Sequence, residues 1–208
     1  MFITFEGIDG SGKSTQARLL AENLRTLDHT VVLTREPGGT ELGERVRDLL
    51  FGLDGRHWDP TEQALLHYAA RSIHLRKVIR PELRKGNIVI SDRFHDSSWA
   101  YQWGAGNIRK DLLSTLDSHV LGGTVPDMTI LLDLDPEECP GRLTYRLPED
   151  GNHFDHRSPL WFQGVREAYL ERARLHSERF YIVDASQSIE VVADTILHMV
   201  REKIDEQC

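Results

Sequence analysis

The chain has 208 residues, with 39% hydrophobic and 28% charged side chains and a formal net charge of −8. That is enough for one good-sized core, in the composition range of globular rather than disordered or fibrous proteins. The negative balance excludes a general nucleic-acid binder, which carries a basic footprint, but allows a small anionic ligand in a local basic pocket.

An apolar strand is expected over residues 2–5, running directly into Gly7-Ile8-Asp9-Gly10-Ser11-Gly12-Lys13-Ser14-Thr15. This is the G-x-x-x-x-G-K-[ST] phosphate loop. A helical pattern follows over residues 16–28, with Ala17, Leu19, Leu20, Leu24 and Leu27 spaced for one face. Strand, glycine-rich turn and helix in that order are the context the motif requires. Glycines let successive backbone N–H groups converge on phosphate oxygens, and the helix N-terminus adds partial positive charge. Lys13 supplies a full charge near the β/γ-phosphates, and the Ser14 hydroxyl is placed for Mg²⁺. The expected ligand is therefore a nucleoside phosphate with Mg²⁺, held by Gly7, Asp9, Gly10, Ser11, Gly12, Lys13, Ser14 and Thr15.

Residues 30–34 read as a second buried strand, followed by the loop Arg35-Glu36-Pro37-Gly38-Gly39-Thr40 and a helix over 41–50. After a break at 52–58, residues 61–83 read as one long helix, interrupted in pattern by Pro81. His67 and Arg71 stand four residues apart on it and share a face, so one can stack on a base while the other holds a phosphate. A third strand at 87–91 ends in Asp92-Arg93. Alone, that pair is an ordinary strand-end salt bridge. Beside a phosphate loop, Asp92 can orient Mg²⁺-bound water and Arg93 can fork onto phosphate oxygens. The segment 94–102 is rich in hydroxyls, amides and rings that can read a base edge and a sugar hydroxyl; its plainer reading is a helix start with Asp96 or Ser97 as N-cap.

A helix is expected at 110–120, a fourth strand at 128–134, a helix at 136–146, a fifth strand at 180–183 and helices at 161–177 and 189–204. Arg142 and Arg146 lie one turn apart before the polar stretch 147–158, which suits a mobile lid; the two arginines can serve as cis arginine fingers. Short apolar strands alternating with helices predict a parallel sheet covered on both faces, with ligands at the strands' carboxyl ends. One domain, 1–208, with no interdomain linker is expected. Cys139 and Cys208 suggest neither a disulfide framework nor a metal site, which points to the reducing cytosol. The expected strand from residue 2 leaves no room for a signal peptide, and no apolar run approaches the roughly 18 residues of a membrane span.

Over nearly its whole length the chain resembles thymidylate kinases of the bacterial kind. The resemblance is carried by the phosphate loop, Thr34-Arg35-Glu36-Pro37-Gly38-Gly39-Thr40, Tyr68-Ala69-Ala70-Arg71, Ser91-Asp92-Arg93, Ala100-Tyr101-Gln102 and Pro126-Asp127. It implies the α/β fold of P-loop nucleoside monophosphate kinases: a five-stranded parallel sheet, helices on both faces and a short lid. It also implies transfer of the ATP γ-phosphoryl group to dTMP, giving dTDP, in a cytoplasmic homodimer. By position, Asp9 would face the acceptor's sugar and phosphate, and Arg71 and Arg93 would hold the phosphate. Tyr101 would abut the sugar, Ser98 and Gln102 the base edge, and Glu36 and Pro37 would border the acceptor. The loop positions Ile8, Asp9, Gly10 and Ser11 include no base, so the resemblance assigns the catalytic arginine to Arg142 or Arg146, beside Lys13, Arg93 and Asp9. The chain departs from the family with His67 where a Phe usually stacks on thymine, with Trp99, and with Asn152-His153-Phe154-Asp155 for a usual Asp-Arg-hydrophobe-Glu. A dUMP or 5-substituted dUMP acceptor stays open beside thymine. So do a P-loop ATPase or switch without acceptor and a deoxynucleoside kinase, although the family-specific 35–40 string fits the last of these poorly.

Overall fold

Five parallel strands in the order β2-β3-β1-β4-β5 make the central sheet. They are β1 (Phe2–Glu6), β2 (Val31–Arg35), β3 (Ile88–Asp92), β4 (Met128–Asp133) and β5 (Phe180–Asp184). The structure, a computed structural model, describes residues 1–52, 58–139, 142 and 158–206. The α/β fold expected from the alternation of elements is the one adopted. Phe2, Ile3 and Phe5 on β1 and Val89 and Ile90 on β3 are fully buried, as continuous apolar strands must be when helices cover both faces.

Helix α1 (Lys13–Thr26) packs Ala17, Leu20, Ala21 and Leu24 on the sheet, a stripe of i, i+3, i+4 and i+7. Leu27, expected on this face, is 44% exposed because the helix ends before it and it serves as C-cap. Truncating Leu24 to Ala removes about 2–5 kcal/mol of stability. Helix α2 (Glu41–Phe51) starts at Thr40, whose side chain accepts from the Gly43 N–H. Helix α3 (Pro60–His74) opens with a capping box between Asp59 and Glu62 and with Pro60 in the first turn, which satisfies otherwise orphaned donors.

The expected break at Pro81 is not a break. The helix runs on through a π-helical turn, Leu75–Ile79, into α4 (Arg80–Arg84), and the Arg80 N–H reaches back five residues to the Leu75 carbonyl. The widened turn accommodates a proline that has no N–H to donate. Residues 94–102 also differ from expectation. They are helical almost throughout, as α5 (His95–Ser98) and a π-helical run Trp99–Ala105, and Phe94 rather than Asp96 or Ser97 is the N-cap. Asp96 is instead buried against Arg172 and Arg179, with contacts of 2.9 and 2.7 Å. Burial alone would raise its pKa, but His95 and the two guanidiniums outweigh it and hold the carboxyl well below the usual range.

Further helices with described bounds are α6 (Lys110–Leu121), α7 (Pro159–Leu175) and α8 (Ile189–Asp205). The helix expected over 136–146 opens as a 3₁₀ turn, Pro136–Glu138, capped by Asp135, and Cys139 and Arg142 beyond it are helical; 140, 141 and 143–146 lie outside the described residues. The register sets Asp92 opposite Phe5 on one side and Arg35 on the other. The carboxyl ends of β1, β2 and β3 thus share one rim, and the motifs that follow them meet there.

Candidate active site

One cavity of about 1010 Å³ opens at this rim. Its wall includes Lys13, Ser14 and Thr15 at one end and His67, Arg71 and Gln102 at the other, with Asp9, Arg93 and Tyr101 also lining it. In an acidic chain, this wall gathers Lys13, Arg35, Arg47, Arg71 and Arg93 against Asp9, Glu36, Glu44 and Asp92. Such a local basic excess suits a phosphorylated ligand.

The phosphate loop has the backbone its sequence requires. Gly12 is the N-cap of α1 at φ 92°, a conformation costly for any residue with a Cβ. Lys13 is buried, and its Nζ donates to the Ile8 carbonyl at 2.8 Å. The first-turn N–H groups of α1 have no intrahelical acceptor. The Ser14 hydroxyl donates to Asp92 Oδ2 at 2.5 Å. Asp92 Oδ1 is buried without a partner. A hydroxyl and a carboxylate side by side, with an unpaired buried oxygen, fit a Mg²⁺ ion that takes its other ligands from phosphate and water. Among the described residues, no group of three or more His, Cys, Asp or Glu gathers that could hold a metal ion.

Arg93 stands just past β3 at φ 70°, a strained conformation for a side chain of its size. Its Nη1 donates to the Gly7 carbonyl (3.2 Å), Ser97 Oγ (3.1 Å) and Tyr169 Oη (3.2 Å). Its Nη2 donates to Asp9 Oδ1 (2.7 Å) and Tyr101 Oη (3.1 Å). Glu6, buried beneath, accepts from the Phe94 N–H, Ser97 Oγ and Tyr169 Oη. Burial, with Asp96 nearby, raises its pKa.

Arg71 is set differently. It is fully buried, donating through Nε to Glu36 (2.7 Å), Nη1 to Ser98 Oγ (3.2 Å) and Nη2 to the Phe94 carbonyl (3.0 Å). Of five guanidinium N–H groups, one on each terminal nitrogen remains. Glu36 also receives His74 Nδ1 at 2.9 Å, and His74 Nε2 pairs with Thr34 Oγ1. Burial opposes ionisation of Glu36, but Arg71 and His74 prevail and lower its pKa. A Cβ on Gly39 would collide with Thr34 Oγ1 and His74 Nε2, which explains glycine there. Ser98 sits behind Arg71, Gln102 and Pro37 are on the cavity wall, and Gln102 donates to Gln63 Oε1 at 3.4 Å.

His67 also lines the cavity. Its Nδ1 pairs with the Gln63 carbonyl at 2.8 Å, so the neutral ring carries its proton on Nδ1. Burial, seconded by nearby Arg71, lowers its pKa to about 4. Trp99, one of the departures from the family, donates its N–H to Asp117, and its ring lies under Arg172.

Arg142 donates to the Ala185 carbonyl (2.8 Å) and to Glu138 (3.2 Å), which places it against the loop between β5 and α8. Arg146, the expected lid 147–158 except Ser158, and the Asn152–Asp155 string lie outside the described residues.

Sequence reading missed Arg47, Glu6, Tyr68, His74 and Tyr169. Arg47 had a signal: it shares a helix face with Gly43, Val46 and Leu50, the buried stripe of α2. Its guanidinium lies 5.1 Å over the Phe51 ring, and Nη1 donates to the Pro37 carbonyl at 3.3 Å. Burial and the neighbouring Arg35 lower its pKa, as expected of a cation short of an anion.

The thymidylate kinase family model matches residues 5–196. The chain is 43% identical over 205 residues to the thymidylate kinase of Mesoplasma florum, covering 99% of this chain and 97% of that protein. It is 40% identical to that of Caulobacter vibrioides, over 98% of this chain and 97% of the other. The crystal structure of thymidylate kinase from Ehrlichia chaffeensis superposes with a TM-score of 0.78 at 35% identity, covering 97% of this chain and 98% of that one.

Proposed function

Because the chain belongs to the thymidylate kinase family, we propose that it transfers the γ-phosphoryl group of ATP to dTMP, giving dTDP and ADP. The relatives' shared name favours thymine over a uracil-type acceptor and over a nucleotide switch with no acceptor. The observation that carries the reading is Arg93, which touches both the Gly7 carbonyl of the phosphate loop and the Tyr101 hydroxyl on the acceptor wall. A coupled ADP-release assay with dTMP, dUMP, 5-hydroxymethyl-dUMP, dCMP, UMP and dGMP tests it. dTMP should be the fastest acceptor; ADP release indifferent to every monophosphate would sink the kinase reading.

ATP lies over Gly7 to Thr15 with Lys13 at the β/γ-phosphates. Ser14 and Asp92 would hold Mg²⁺, which supplies charge neutralisation between the β- and γ-phosphoryl oxygens. The acceptor phosphate lies against Arg93 and Arg47, which both line the cavity. Arg71, which shares the cavity wall with His67 and Gln102, offers its two unused N–H groups to the base edge. Gln102 and His67 complete the base end, Ser98, Glu36 and Pro37 hold that wall in place, and Tyr101 with Asp9 meets the sugar. The attacking phosphate oxygen is already anionic near neutral pH, so positioning and electrostatics suffice without a strong base. Residues 147–158 act as the lid of a single domain, and Arg146 meets the transferring group, while Arg142, tied to the Ala185 carbonyl, serves the ATP side.

We also propose a cytoplasmic homodimer. The buried free thiol of Cys139 is at home in a reducing compartment. Leu42, Leu49 and Leu65, on the adjoining α2 and α3, are 41%, 36% and 50% exposed, an apolar surface suited to a second copy. Among the described residues, no helix is long and apolar enough to cross a membrane.

A further inference from the structure

We propose that Asp117, on α6 and absent from the cavity wall, is a positioning residue for the acceptor nucleotide, acting through Tyr68 on Arg71. This rests on the reading of Arg71 as an acceptor-site residue. Asp117 Oδ1 accepts from the Tyr68 hydroxyl at 2.7 Å. Its Oδ2 accepts from Trp99 Nε1 at 2.7 Å and faces His95 Nδ1 at 3.3 Å. The three partners belong to α3, to α5 and to the π-helical run after it, so one carboxylate fastens three segments.

The Tyr68 ring is the floor under Arg71. The guanidinium carbon stands 4.5 Å from the ring centroid, within cation–π range. Arg71's three hydrogen bonds, to Glu36, Ser98 and the Phe94 carbonyl, are directed along N–H bonds in the guanidinium plane. Such bonds set the plane of the group but resist displacement along its normal only weakly; the rings of Tyr68 and, at 5.4 Å, Phe94 oppose that displacement, and of the two only Tyr68 carries a hydroxyl by which it can be tied. The ring in turn needs a fixed hydroxyl, and Asp117 supplies the acceptor. The two unused N–H groups of Arg71 therefore inherit their aim from a carboxylate that never meets the substrate.

The test measures KM for dTMP, KM for ATP, kcat and melting temperature in the full chain for Asp117→Ala, Tyr68→Phe, the double variant, Asp117→Asn and Arg71→Ala. Asp117→Ala should raise KM for dTMP roughly five- to tenfold, with kcat and KM for ATP within about twofold. Tyr68→Phe keeps the floor and loses the tether, so it should shift KM for dTMP the same way by less. Because both remove one bond, the double variant should resemble Asp117→Ala rather than the product of the two. Asp117→Asn retains an acceptor for the hydroxyl and should recover most of the KM for dTMP even where the melting temperature stays low. An unchanged KM for dTMP in both Asp117→Ala and Tyr68→Phe, whatever the melting temperatures, would overturn the proposal; Tyr68→Phe decides if Asp117→Ala does not fold. An unchanged KM for dTMP in Arg71→Ala would overturn instead the acceptor-site reading beneath it.

Discussion

Arg93 Nη2 and Asp9 Oδ1 meet at 2.7 Å, joining the end of β3 to the phosphate loop. The pair is largely shielded from water, where a charged hydrogen bond is strong and its loss is costly. Arg93→Ala should lower kcat/KM for dTMP roughly a hundred- to thousandfold, with Asp9→Asn less severe because an amide oxygen still accepts from Arg93. Steady-state kinetics on both variants checks the order.

Arg47 and Arg71 should fail in different ways. Arg47→Ala removes charge from the acceptor phosphate and should raise KM for dTMP roughly ten- to a hundredfold. Inhibition by thymidine, which lacks the phosphate, should be untouched. Arg71→Ala should weaken thymidine and dTMP alike. It should also lower stability by about 3–5 kcal/mol, since buried Glu36 loses its guanidinium partner and keeps only His74. Inhibition constants and denaturant titrations separate the two.

The unpaired Asp92 oxygen predicts a metal requirement centred on that carboxylate. Chelation of Mg²⁺ should abolish turnover, and Asp92→Asn should raise the Mg²⁺ concentration needed for half-maximal rate roughly tenfold or more. A metal titration unchanged in Asp92→Asn would remove this residue from the metal's surroundings.

His67 carries a pH signature. Its pKa falls from the ordinary imidazole value to about 4 in the fold, so the unfolded chain binds its proton more readily. His67 therefore penalises folding progressively as pH drops from about 6.5 towards about 4, and has no such effect above that window. The stability advantage of His67→Phe over the parent should widen across this range and stay constant above it; parallel stability curves would contradict it. The same substitution should sharpen the preference for dTMP over dUMP, since a phenyl ring meets the thymine methyl with apolar surface alone.

Arg142 and Arg146 should separate kinetically. Arg142 is fastened beside Ala185, so Arg142→Ala should act mainly on KM for ATP. Arg146→Ala should act on kcat by roughly three orders of magnitude or more, the scale of an arginine finger. Normal kcat in Arg146→Ala would remove the finger from that position.

The strands, the phosphate loop and the Asp92-Arg93 corner were legible because each is a local pattern: an apolar run, a glycine spacing, a charge at a strand end. What surrounds them was not, because it depends on partners far along the chain. Tyr169 reaches Glu6 across 163 residues, and Arg179 reaches Asp96 across 83. No spacing rule marks such pairs. Asp96 looked like a cap because Asp is a good one; tertiary pairing with two arginines overrode that preference. Arg71's charge was visible in sequence, whereas its bonds to Glu36, Ser98 and the Phe94 carbonyl were not.

The π-helical turn at Leu75–Ile79 has a consequence for how this chain tolerates length changes. The additional residue in that turn rotates everything after it by about 100° relative to an uninterrupted α-helix. Upstream, Arg71 and His74 point at Glu36; downstream, Leu83 packs, partly buried, against the core that holds Phe2 and Val89. Excising a single residue there would make the helix more regular and leave one of those two faces looking the wrong way. The irregular turn is thus the joint that lets one rod serve both the nucleotide cavity and the hydrophobic interior.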